Sequence, residues 1–144
     1  MKYLADTNFL SELLKRRPNP GVMSWLRSVD ENDIAVSVIT LGELQRGASR
    51  LSPGDRQTAI QTWIDQYIIP RFSGRFVGLG MDEMLEWGRR YGLFERQGRP
   101  RPALDSLLAV TALTNDLAVV SRNARDFHEW GVEVINPWDH ENGT

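Results

Sequence analysis

Apolar residues change their spacing several times along this chain, from short continuous runs to a repeat of three and four and back. Residues 2–6 read as a short buried strand, and residues 7–16 carry Leu10, Leu13 and Leu14 at helical spacing before Pro18 and Pro20 stop the pattern. A second short helix over residues 21–29 places Val22, Trp25, Leu26 and Val29 on one face. The β-branched run 34–39 predicts a second strand, with a helix beginning near Leu41 and fading around Arg50. Ser52-Pro53-Gly54-Asp55 is a turn, where Ser52 or Asp55 can cap a helix over 56–69 whose apolar positions are Ile60, Trp63, Ile64 and Tyr67. Residues 75–79 form a third strand, and Asp82 caps a helix carrying Met84, Leu85, Trp87 and Tyr91. Two prolines in the loop 97–102 delay the next helix to Ala103 or later. A fourth strand (117–121), a short turn or helix (126–130) and a fifth strand (132–135) complete the pattern before Asn136-Pro137-Trp138.

Strands that alternate with helices imply a mostly parallel sheet covered on both faces, with right-handed crossovers. The expected architecture is α/β, a three-layer α/β/α domain with a five-stranded sheet, over residues 1–138. A polar tail, 139–144, is expected to fray. The chain's 144 residues suit one domain with a substantial core, and 41% hydrophobic with 25% charged residues is the balance of an ordered globular protein. No apolar run approaches the ~20 residues of a membrane span. With no cysteine, thiolate metal sites and disulfides are excluded, and a cytoplasmic location without membrane attachment is expected.

Three carboxylates stand near expected strand-to-helix junctions: Asp6, Glu43 and Asp105. Functional groups of open parallel sheets gather outside the carboxyl ends of the strands. Acids converging there repel one another unless a cation neutralises them, and hard oxygen donors suit Mg²⁺, with Mn²⁺ also accommodated. Each acid has a plainer use. Asp6 or Asn8 can cap a helix, Thr40-Leu41-Gly42-Glu43 matches a capping box, and Asp105 suits a helix's positive end. The spacing permits convergence and leaves both readings open.

The net charge of −2 does not point to nucleic acid, but its distribution is uneven. Every basic residue except Lys2 and Lys15 is an arginine. Arg89, Arg90, Arg96, Arg99 and Arg101 crowd one stretch whose only acid is Glu95. Arginine grips phosphate bidentately and stacks on bases, so Arg89, Arg96 and Arg99 are candidate RNA contacts; a solvated helix face is the alternative. His128 and His140 read as surface residues, and no nucleophile elbow, P-loop or zinc signature occurs. A hydrolase without a side-chain base would depend on a divalent ion to activate water.

Several segments, taken together, resemble PIN-domain proteins. They are 4–13 (Leu-Ala-Asp-Thr-Asn-Phe-Leu-Ser-Glu-Leu), 37–47 (Ser-Val-Ile-Thr-Leu-Gly-Glu-Leu-Gln-Arg-Gly), 105–112 (Asp-Ser-Leu-Leu-Ala-Val-Thr-Ala) and 120–127 (Val-Ser-Arg-Asn-Ala-Arg-Asp-Phe). The ending Val134-Ile135-Asn136-Pro137-Trp138 is similar to the FitB-like branch of VapC toxins. The resemblance runs in order over residues 3–138, and its strength lies in the register of motifs that are individually weak. It implies a Mg²⁺-dependent ribonuclease that is the toxin of a toxin–antitoxin pair. The RNA substrate, a VapB/FitA-like antitoxin and a homodimer are the partners it implies.

Carried over residue by residue, the resemblance places the family's first three acids on Asp6, Glu43 and Asp105. Asn123 stands where an aspartate often follows the Thr/Ser-Arg pair, with Asp126 three residues on, so either can complete the site. Thr7, Asn8 and Ser121 match supporting polar positions. A dehalogenase-type phosphatase would need a second aspartate two after Asp6, where Asn8 stands, and a later lysine that is missing. The remaining alternative is a catalytically weak module of the same fold that mainly binds a protein or nucleic acid. An antitoxin would need exposed apolar groups, which the Leu10-Leu13-Leu14 helix and Trp25-Leu26 are expected to offer unless they pack into the chain's own core.

Overall fold

The computed structural model describes residues 1–140; the frayed tail expected beyond the domain falls mainly on 141–144, outside the described residues. Five short strands make one parallel sheet in the order β3-β2-β1-β4-β5. They are β1 (Tyr3–Ala5), β2 (Ile34–Ser37), β3 (Phe76–Val77), β4 (Ala118–Val120) and β5 (Val134–Ile135). In register, Ala5 lies between Val36 of β2 and Val120 of β4, so these three strands end side by side.

Alternation along the strands divides the core in two. Ala5, Ile34, Val36 and Val120 face one layer, where α1 (Thr7–Leu14), α2 (Pro20–Ser28), α3 (Val38–Arg50) and α4 (Asp55–Trp63) add Phe9, Leu10, Val22, Trp25 and Leu44. After α4 a wider helical turn, Ile64–Ile68, leads without a break into α5 (Ile69–Arg71). Leu4, Ala35 and Val119 face the opposite layer, covered by α6 (Met81–Arg96), α7 (Ala103–Thr114) and α8 (Ala124–His128). The expected three-layer α/β arrangement is therefore present. Among the described residues no helix is long and apolar enough to cross a membrane.

Some boundaries differ from those the residue types suggest, and the differences move functional side chains. β2 stops at Ser37 because the Ser37 hydroxyl accepts the Ile39 N–H at 3.0 Å and caps α3. The β-branched Val38-Ile39-Thr40 is thus the first helical turn; tertiary context overrides strand propensity, and Glu43 sits in the second turn. α6 begins at Met81 with Glu83, rather than Asp82, closing its first turn: the Gly80 N–H donates to Glu83 Oε2 at 3.0 Å. α4 follows Gly54 without side-chain capping, so neither Ser52 nor Asp55 serves as its cap.

Apolar exposure also differs from expectation. Leu10 and Trp25 are buried, with Trp25 edge-on to Tyr3 and Phe9 at centroid distances of 5.2 and 5.6 Å. Leu14 remains exposed, while Leu13 and Leu26 are half-buried. The C-terminal segment Pro137–Asp139 packs on α2 so closely that a side chain at Gly21 would meet the Pro137 carbonyl oxygen at 2.8 Å. His128 is exposed, as read from the sequence; His140 is partly enclosed, and its buried Nε2 has no hydrogen-bond partner among the described residues.

Candidate active site

The carboxyl ends of β1, β2 and β4 feed the N-termini of α1 and α3 and the turn before α8, and α7 begins beside them. Asp6 follows β1 directly. Its Oδ1 accepts the Phe9 N–H at 2.8 Å, so it does cap α1 as the plainer reading held, yet its carboxyl is also held by the Ser121 hydroxyl from the end of β4. Only 6% of Asp6 is exposed. Burial raises its pKa from 3.8 to about 6, against the lowering effect of the Ser121 and Phe9 hydrogen bonds, and the charges of Asp105 and Glu43 raise it further. One residue thus joins two roles that the sequence left as alternatives.

Asp105 lies in the first turn of α7, half-buried. Its pKa is raised as well, first by burial and then by the charges of Asp126 and Glu43. Glu43, in the second turn of α3, accepts the Thr7 hydroxyl at 3.1 Å, which ties α3 to the start of α1. Asp126 stands in the first turn of α8. These electrostatic links join the four carboxylates through Asp105: Asp6 with Glu43 and Asp105, and Asp105 with Glu43 and Asp126.

The remaining expected residues divide. Ser121 is fully buried and, besides serving Asp6, accepts the Asn123 N–H at 2.9 Å. Asn123 precedes α8 and is exposed, as is Asn8. Arg89 and Arg90 both bind Glu86, at 2.9 and 2.7 Å, while Arg99 and Arg101 both bind Glu129. Arg96 alone of this group is exposed without an ion-pair partner among the described residues. Glu129 was not singled out in the sequence, because an acid after a short helix gives no signal until its partners are seen.

The donor set suits a hard divalent cation. Four carboxylates, two of them with pKa values raised by burial and by neighbouring charge, offer oxygen ligands and a charge that a cation would relieve. Among the described residues, no three of these side chains are already drawn into a coordination sphere. The fit rests on chemistry and charge.

Fold and site together define a class: a doubly wound parallel α/β domain with an acidic centre at the switch between β1 and its neighbours. The sequence matches the PIN domain over residues 3–132. The chain belongs to the PIN-domain family, among its VapC members. It is 32% identical to the toxin FitB of Neisseria gonorrhoeae over 135 residues, 94% of this chain and 97% of FitB. Identity to the VapC ribonuclease Y4jK of Sinorhizobium fredii is 28%, over 93% of this chain and 96% of that one. A solved structure of FitAB bound to a DNA fragment superposes with a TM-score of 0.86 at 30% identity, covering 99% of both chains.

Proposed function

We propose that this protein is a divalent-metal-dependent endoribonuclease and the toxin of a toxin–antitoxin pair. The observation that carries the activity is that Asp6, Glu43 and Asp105 bear on one another beside the carboxyl ends of adjacent strands, with Asp126 bearing on Asp105 and with Asp6 and Asp105 held above their ordinary pKa. Relatives named as VapC ribonucleases, including a tRNA(fMet)-specific endonuclease of Shigella flexneri, support the substrate class.

In this reading Asp6, Glu43 and Asp105 hold Mg²⁺ or Mn²⁺. Asp126 supplies the fourth acid, because its charge bears on Asp105 whereas the exposed Asn123 brings none. When bound, the ion supplies an activated water and neutralises charge on the scissile phosphate. The protein's own part is placement. Thr7 orients Glu43, Ser121 and the Phe9 N–H orient Asp6, and burial of Asp6 keeps bulk water from screening the site. Arg96 is the arginine of its cluster left available to an RNA phosphate.

The toxin reading needs an inhibitor, and a groove beside the site supports one. Leu14, Leu44, Ile60 and Trp63 contribute its apolar floor, Lys15, Arg46, Arg50 and Arg56 its basic rim, and Thr7 and Glu43 its inner end. An amphipathic antitoxin segment with acidic residues fits this composition. The similar solved structures of FitAB bound to a DNA fragment and of FitAcB from Neisseria gonorrhoeae support the same partner class. A homodimer would use apolar surface elsewhere, and α6 leaves Met81, Met84, Leu85 and Leu93 exposed. The nuclease reading is tested by incubating the purified protein with structured RNA and Mg²⁺. Internal cuts that vanish with chelator and in Asp105→Asn are expected. Cleavage surviving both changes would overturn it.

A further inference from the structure

A cluster of ion pairs outside the acidic centre links the loop entering α7, which carries Asp105, to the end of α8, which carries Asp126. Gly98, with φ at +70°, turns the chain at the end of α6 so that the Arg99 N–H donates to the Phe94 carbonyl at 2.8 Å. The loop is then fastened along its length. The Tyr91 hydroxyl donates to the Arg101 carbonyl at 2.8 Å, and the Arg101 guanidinium lies 5.0 Å from the centre of the Phe94 ring. Both Arg99 and Arg101 reach across to Glu129, the residue that ends α8.

The spacing in sequence gives this contact its meaning. Arg101 stands four residues before Asp105, and Glu129 three after Asp126. Arg101 lies in the loop two residues before α7, whose first turn holds Asp105, and Glu129 directly follows α8, whose first turn holds Asp126. The attractive pairing of Arg99 and Arg101 with Glu129 thus ties the entry of α7 to the end of α8, the two helices whose Asp105 and Asp126 repel each other. Repulsion alone would drive α7 and α8 apart. Arg101 is the more enclosed partner, its side chain 19% exposed, so this pairing is less screened than an open surface contact.

We propose that Glu129 is a positioning residue for the metal centre: through Arg99 and Arg101 it holds α8 against the start of α7, so that Asp126 and Asp105 face the same ion. The inference rests on the metal-dependent reading above, and it assigns Glu129 no contact with ion or substrate. Its loss leaves every acid in place but lets two of them separate, so the affinity for the ion falls while the fold survives. Partners of ligating groups affect metal affinity by about 10- to 100-fold in other sites, and the lower end is expected for a half-exposed clamp.

The test is a Mn²⁺ titration of the intact protein by calorimetry, with thermal unfolding of the metal-free forms alongside. Glu129→Gln should weaken Mn²⁺ binding about tenfold while the metal-free protein unfolds within a few degrees of the unaltered one. Arg101→Gln should act in the same direction but more weakly, since Arg99 keeps its hold on Glu129, and the double variant should lose little more than Glu129→Gln, which already breaks both pairings. Glu129→Asp, which keeps the charge, should recover part of the loss. Glu31→Gln, which breaks the ion pair with Arg71 ahead of β2, should leave Mn²⁺ affinity unchanged. Unchanged affinity in Glu129→Gln, fully additive losses, or an equal loss in Glu31→Gln would overturn the positioning role. Failure of the unaltered protein to bind Mn²⁺ would instead overturn the metal reading and this inference with it.

Discussion

Replacing Asp6 with asparagine should make the metal-free protein more stable at neutral pH while removing its response to metal. Asp6 in the folded protein titrates at about 6, against 3.8 as an ordinary aspartate. A raised pKa means that folding favours the protonated form, so Asp6 leaves stability intact below pH ~4 and withdraws it as pH rises through about 6. The gap corresponds to at most about 3 kcal/mol. Asparagine is close to the same size, its oxygen can still accept the Phe9 N–H, and it carries no charge. Allowing for residual hydration, Asp6→Asn should gain about 2 kcal/mol at pH 7.5 in chelator, which for a domain of this size is a rise of about 4–8 °C in Tm. At pH 4 the two proteins should unfold within about 2 °C of each other, because aspartate is then largely neutral in the folded state. Added Mn²⁺ should raise the Tm of the unaltered protein and leave Asp6→Asn unmoved. Scanning fluorimetry over pH 4–8, with and without Mn²⁺, measures all three. Destabilisation of Asp6→Asn at pH 7.5, or a gain equally large at pH 4, would refute the electrostatic account of this residue.

Other outcomes follow from the same contacts. Ser121→Ala removes one hydrogen bond from Asp6 and the acceptor of the Asn123 N–H, so it should cost about 1–3 kcal/mol and push the Asp6 titration still higher; denaturant unfolding and a pH titration check the two effects. Arg96→Glu should weaken RNA binding and flatten its dependence on salt, read by fluorescence anisotropy, whereas an unchanged slope would make the arginine stretch a solvated face. Leu14→Asp in the groove beside Glu43 should abolish capture of an antitoxin encoded alongside while sparing RNA cleavage; retention of capture in a pull-down would move the partner to another surface.

Much of the architecture was legible because the strands carry its signal. Runs such as Ile34-Ala35-Val36 sit between two buried layers, so their apolar continuity is a direct consequence of the three-layer fold. The first errors arose where one capping hydrogen bond decides a boundary. Val38-Ile39-Thr40 continues the β-branched pattern, and only the hydroxyl of Ser37 on the Ile39 N–H turns it into helix. Exposure of apolar residues was the harder problem. Trp25 and Leu10 share their helices with Leu26 and Leu14, and the helical period cannot say which of these meets the sheet.

The acids were legible as types and positions, and their resemblance to PIN motifs gave them an order. Their convergence required the strand order that brings β1 between β2 and β4. The arginine stretch shows the opposite case: a cluster conspicuous in sequence is largely consumed by Glu86 and Glu129, acids whose role no spacing announces.

The central claim is that four carboxylates from separate elements share one divalent ion. A crystal structure of the protein grown with Mn²⁺, with anomalous scattering recorded at the manganese edge, measures this directly. The account predicts a peak between Asp6, Glu43 and Asp105, with Asp126 on the same ion directly or through water, and its loss in Asp105→Asn. A peak elsewhere on the molecule, or an empty acidic centre at saturating Mn²⁺, would contradict it.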